Sequence, residues 1–218
     1  MSTSRISRWE RLSPLAGVAA VALWIAGLAI TDAPDTSTHR TDAQILAVYQ
    51  HHANNVIVGS WLFMLGCVFF LWFAGTLRGR MAEAEGGRNT FTGIAFGGAV
   101  AATVFGVGTA AGPLAVAINT NHVSAATAGA LTHVDDLFLV GAELTLVALF
   151  AAAGVVAFHT GLLPKRWAAL MWLVAVVLVI GPIGWAAMIF GLPIWTLVTT
   201  FMLMRRRGDS VRVAPAAA

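Results

Sequence analysis

His133, Asp136 and Glu143 are the residues of this chain best placed to do chemistry. They stand in an apolar stretch, and Glu143 is followed by Leu144 to Phe158, a run with no ionisable side chain. At about 100° per helical residue these three, together with Val140, fall within a sector of roughly 80°, whereas Asp135 points about 120° away from its middle. Imidazole and carboxylate on one face of an apolar helix can pass a proton or hold a cation or an amine. Ionisable groups in such a setting are costly and mark function by default. The competing reading is a buried acid kept neutral or hydrogen-bonded, for which Thr196, Thr199 and Thr200 supply hydroxyls.

A second group gathers on the same side of the chain. His39, His51, His52, His122 and His133, five of the six histidines, fall with Asp32, Asp35, Asp42, Asp135 and Asp136 in or beside the polar connections. Imidazole plus carboxylate suits zinc, copper or nickel. His51, His52, His122, His133 and Asp136 are therefore candidate ligands of a divalent metal, the one cofactor the residues suggest. Their spacing matches no recognised ligand motif, and solvated loop residues are the weightier explanation.

Other chemistries are disfavoured. Cys67 is the single cysteine, so no intramolecular disulfide or CxxC pair can form. The single lysine, Lys165, lies in a connection, where it cannot carry a retinal Schiff base. The histidines sit near segment ends, unsuited to axial haem ligation. HExxH, GxSxG and P-loop motifs are absent, and the chain reads as non-enzymatic. Its net charge of +3 is spread over segment ends rather than gathered on one surface, which argues against nucleic acid.

The elements that must position these residues are apolar helices. With 58% hydrophobic and 11% charged residues the composition departs far from the soluble norm of about 45–50% and about 25%. Leu12–Thr31 is long enough to cross a hydrocarbon core of about 30 Å. A polar connection follows, in which Thr41-Asp42-Ala43-Gln44 reads as a capping box opening a short interfacial helix whose face is Ile45, Val48, Tyr49 and His52. Further spans are expected at Val56–Leu77, Phe91–Ile118 and His133–Phe158. Pro113 should kink or end the third, and Gly93-x-x-x-Gly97 and Gly108-x-x-x-Gly112 permit close helix approach there. Trp167–Met204 is too long for one crossing and contains the breaker Gly181-Pro182-Ile183-Gly184, so it predicts two.

The fold expected is thus an all-α membrane protein. Six transmembrane helices form one bundle over residues 1–207, a short interfacial helix occupies the first outer loop, and residues 208–218 form a disordered cytoplasmic tail. Placing both termini in the cytoplasm puts 12 of the 13 Arg and Lys residues inside, with Arg40 alone outside, as short cytoplasmic loops require. The lipid bilayer is the expected partner, joined by a second copy or a subunit of a membrane complex.

Ser13-Pro14-Leu15-Ala16-Gly17, Glu85-Gly86-Gly87, Asp135-Asp136, Thr160-Gly161-Leu162-Leu163-Pro164 and Trp195 leading to Arg205-Arg206 resemble the pattern of a group of small multi-span integral membrane proteins of actinobacteria. The resemblance covers nearly the whole chain, implies a bacterial cytoplasmic-membrane location, and carries no activity with it. From the residues themselves the leading function is movement of a small solute or proton along the acidic face of the fourth span. An outer-face metal-binding module and a structural or assembly subunit are the alternatives.

Overall fold

The computed structural model describes residues 12–31, 33–34 and 40–212, with side chains at all of these except 181–182 and 206–212. Arg5, Arg8, Trp9, Arg11, Asp32, Asp35 and His39 lie outside the described residues. A 3-10 turn, Ser13–Leu15, leads into α1 (Ala16–Ile30); then follow α2 (Asp42–Glu85), α3 (Thr90–Ile118), α4 (Ala125–Thr160) and α5 (Lys165–Val179). A short α6 (Gly181–Ala186), a π-helical turn (Ala187–Gly191) and α7 (Leu192–Arg212) complete the chain, with no strand among the described residues. Helix α7 is described to Arg212, and residues 213–218, most of the expected tail, lie outside the description.

Among the described residues, five helical segments are long and apolar enough to cross a membrane, rather than the six expected: Ser13–Ile30, Asp42–Glu85, Thr90–Ile118, Ala125–Thr160 and Ile183–Arg205. The shortfall is α5. Its 15 residues reach about 22 Å at 1.5 Å per residue, short of a full hydrocarbon core. The breaker at Gly181 acts where the sequence places it: Ile180 leaves the helical region with ψ 68° and α5 ends. The chain then doubles back, because Trp167 Nε1 donates to Thr199 Oγ1 at 3.3 Å, joining the start of α5 to the middle of α7.

The segment expected to form a short helix in the first outer loop is capped as its sequence predicts. Thr41 forms the capping box, its hydroxyl accepting from Gln44 N–H while its own N–H donates to Gln44 Oε1. The helix it opens meets a kink at His52, where the backbone leaves the helical region (φ −119°, ψ 20°), and helix resumes beyond it to Glu85. Tertiary packing holds the segment before the kink. Ile45, Tyr49 and Val56 bury against Val116, Ala117 and Ala128, so that the first turns of α2 form a cap with the end of α3 and the start of α4. Fully burying one such aliphatic side chain is worth about 1.5–3 kcal/mol, enough to hold a weak helical segment in register. Tyr49 Oη lies 3.0 Å from Thr132 Oγ1, which satisfies the buried phenol.

In lipid the apolar effect gives helices little reason to associate, so backbone proximity and interdigitation carry the packing. A Cβ on Gly27 would stand 2.8 Å from the Gly59 carbonyl, and one on Gly59 the same distance from the Gly27 carbonyl, so α1 and α2 cross there in backbone contact. Between α3 and α4 the Phe138 ring covers Gly108 while the Phe105 ring covers Gly141, and Gly112 meets the Leu131 carbonyl. Gly93 and Gly97 face open space instead; the upper contact of α3 is made by Gly98, against Thr145 and Leu149. Pro113 is buried inside α3, which continues to Ile118. Trp195 stands edge-on to Phe73 and Phe150 at the centre of the bundle, whereas Trp61, Trp72, Val104, Leu173 and Phe201 are among many large apolar side chains left exposed around it. A band of that kind suits contact with acyl chains.

At the far end of α2, Glu85 reaches over Gly86 and Gly87, both of positive φ, to cap the next helix. Phe91 N–H donates to its Oε1 at 3.2 Å and Thr92 N–H to its Oε2 at 2.9 Å. Partial burial alone would raise this carboxyl, but hydrogen bonds from Thr92 and Phe91 outweigh it and hold it below its ordinary range. The orphan N–H groups and positive end of α3 are thereby met by a charge.

Candidate functional site

A cavity of about 240 Å³ opens among α1, α2, α3, α4 and the π-helical turn. Each wall follows from a local sequence choice. Gly27 and Gly59 bring α1 and α2 together at one side; Thr103, Gly106 and Ala110 keep the α3 wall low. Trp24, Phe63, Phe70 and Leu146 supply apolar surface, and Met188, Ile189, Leu192 and Pro193 close the wall from the broken last helices. Non-regular backbone at membrane depth is tolerated where it lines a cavity, and substrate sites of transporters are commonly built from such interrupted helices.

Asp135 is the acid in this wall, and no Lys, Arg or His is among the lining residues described. Its Oδ1 is enclosed without a hydrogen-bond partner among the described residues. Thr103 and Thr109, which also line the space, direct their hydroxyls back to the Ala99 and Phe105 carbonyls at 2.8 and 3.1 Å. Pro113 has no N–H to give the Thr109 carbonyl one turn before it, so that carbonyl loses its helical donor. On the donor side Trp24 Nε1 is buried with no oxygen acceptor. The cavity is therefore an apolar space whose wall includes one unpartnered carboxylate oxygen and the indole of Trp24.

Compared with protein-family models, with curated proteins and with solved structures, the chain matches none. The function must be argued from the cavity itself.

The three residues singled out on one helical face part company. His133 and Asp136 are exposed on α4, as are Leu137 and Val140, while Glu143 is 5% exposed. Glu143 does not border the cavity; a Cβ on Gly184 would stand 3.2 Å from its Oε2, so it packs against α6 just beyond the end of α5. The proposed hydroxyl neighbours are all buried; two are engaged elsewhere, and the third, Thr200 Oγ1, has no hydrogen-bond partner among the described residues. Thr196 donates to the Leu192 carbonyl at 2.8 Å, Thr199 accepts from Trp167, and Thr200 lies with Thr196 against Gly17 of α1. As for a metal, His51, His52, His122, His133 and Asp136 are each exposed, and no three His, Cys, Asp or Glu side chains among the described residues come close enough together to hold an ion.

Two positions escape the helical-wheel argument. Asp135 was set aside because it points away from Glu143, yet Asp135, Leu139, Ala142 and Leu146 recur at i, i+4, i+7 and i+11 and all line the cavity. That period was the available signal. The capping of α3 by Glu85 had none, since it depends on the positive φ of Gly86 and Gly87.

Proposed function

We propose that this protein is an integral membrane protein of the bacterial cytoplasmic membrane that binds a small solute inside the bilayer and passes it across. The observation that carries this reading is the cavity beside α4, walled in part by the interrupted segment Ala187–Pro193 and containing the unpaired Asp135 Oδ1. In this reading the chain crosses the membrane six times, α5 with α6 making the fifth crossing and α7 the sixth, and both termini face the cytoplasm. The hydrogen bond from Trp167 to Thr199 supports the return of α7 alongside α5. Membership of the actinobacterial group that the sequence resembles belongs to the same proposal.

Glu143 fits the reading as a contact of the moving part. It touches Gly184, within the same broken region that forms one cavity wall, so it is placed to sense whether that wall is closed. The test is transport by the full chain in proteoliposomes, using a panel of small apolar solutes that carry one polar group. Saturable uptake that is lost when Ala142→Phe fills the cavity, with the variant still eluting and melting as folded protein, is the expected result. Uptake equal to that of protein-free vesicles for every solute would overturn the proposal.

A further inference from the structure

Resting on the solute-binding reading above, we propose that the cavity selects a lipophilic ammonium ion, a small protonated amine whose charged head pairs with Asp135 and whose apolar body lies against Trp24, Phe63 and Phe70. The argument begins with what the wall lacks. A carboxylate oxygen is enclosed without a partner, and neither Lys, Arg nor His stands among the lining residues to balance its charge. An unbalanced carboxylate in an apolar enclosure is expensive, and the cost falls when a donor-bearing cation enters.

The remainder of the lining suits the rest of such a molecule. Trp24, Phe63 and Phe70 offer aromatic faces, which attract a cation and also pack against hydrocarbon. A space of 150 Å³ holds benzene, so about 240 Å³ accommodates about ten non-hydrogen atoms. Competing ligand classes fit less well. An anion would meet a carboxylate and no cationic side chain, and a purely apolar molecule would leave Oδ1 unsatisfied. A bare divalent ion needs several oxygen ligands, whereas the described residues bring no three acidic, imidazole or thiol groups together.

The experiment measures equilibrium binding to the full chain in nanodiscs of uncharged phosphatidylcholine, with empty nanodiscs subtracted. Three probes of nearly equal size are compared: 4-phenylbutylamine, pentylbenzene and 4-phenylbutanoate. The amine is expected to bind saturably at one site, at least tenfold tighter than either of the others. Asp135→Asn should erase that preference by weakening the amine at least tenfold while changing pentylbenzene less than threefold. Glu83→Gln, exposed near the far end of α2, should leave all three unchanged. Equal binding of amine and pentylbenzene, or tighter binding of the anion, would overturn the ammonium assignment and leave the solute cavity standing. No binding of any probe to folded protein would overturn both. Because the preference is read on the unaltered chain, failure of Asp135→Asn to fold does not rescue the proposal.

Discussion

Gly97 and Gly98 are neighbours on α3 with opposite surroundings, and replacing each by alanine isolates the energy of helix contact. A Cβ on Gly98 would lie 2.7 Å from both the Thr145 carbonyl oxygen and the Leu149 nitrogen, whereas one on Gly97 meets nothing within 4 Å. Both obstacles are backbone, so no side chain can rotate away. Ordinary contact requires α3 and α4 to separate by roughly 0.7–1 Å, and overpacking of this kind costs about 1–3 kcal/mol. Replacing glycine by alanine in a helix also gains about 0.5–1 kcal/mol from backbone entropy and propensity. That gain is common to both variants and cancels between them, leaving the clash. At about 2–4 °C per kcal/mol for a chain of this size, the two melting temperatures should differ by roughly 2–12 °C. Gly97→Ala should melt at or above the parent, and Gly98→Ala below it, when unfolding in detergent is followed by tryptophan fluorescence. Equal melting temperatures, or Gly97→Ala the less stable, would refute the assignment of Gly98 to the helix contact.

Further outcomes follow from the ends of the helices. Tyr49→Phe should lower stability by about 0.5–1.5 kcal/mol and increase amide exchange over residues 42–56, since it removes the 3.0 Å contact to Thr132 while the Thr132 hydroxyl keeps its bond to the Ala128 carbonyl. Glu85→Gln should be less stable than the parent at neutral pH, and the gap should close in acid. A carboxyl held below its ordinary value stabilises above the unfolded-state pKa of about 4.3 and loses that contribution as pH falls through the folded value, so a gap unchanged by acid would refute the charged cap. Reporter fusions after Arg88, Arg166 and Arg207 should report cytoplasm, and those near Ser37 and Asn121 the opposite side. Opposite signals from Arg166 and Arg207 would mean that 167–204 crosses once.

What could be read in advance was local. The Thr41 capping box and the break at Gly181 each depend on a few adjacent residues, and each is in place. The partners that bury Ile45 and Tyr49 were not legible, because they form a cap assembled from three distant segments. The acidic face of α4 shows the same limit. Asp136 and Glu143 do share a direction on the helix, but the segment that covers this face reaches Glu143 at Gly184, and two turns beyond it Asp136 is left exposed. Periodicity gives azimuth; which azimuth is covered, and how far along the axis, is decided by another part of the chain.

The part of α2 beyond the His52 kink makes a lever. From residue 53 to Glu85 it runs about 50 Å, with the backbone crossing at Gly27 and Gly59 as a pivot near one end and the Glu85 clasp at the other. Between Gly59 and Glu85 lie about 39 Å of helix, so a tilt of roughly 5° about the pivot carries Glu85 through about 3 Å, while the bend at His52 lets the cap on the other side stay in place. Gly59, Ser60 and Phe63, which line the cavity, ride close to the fulcrum and turn with it. A displacement imposed at Glu85 thus reaches the cavity wall as rotation, geared down several-fold.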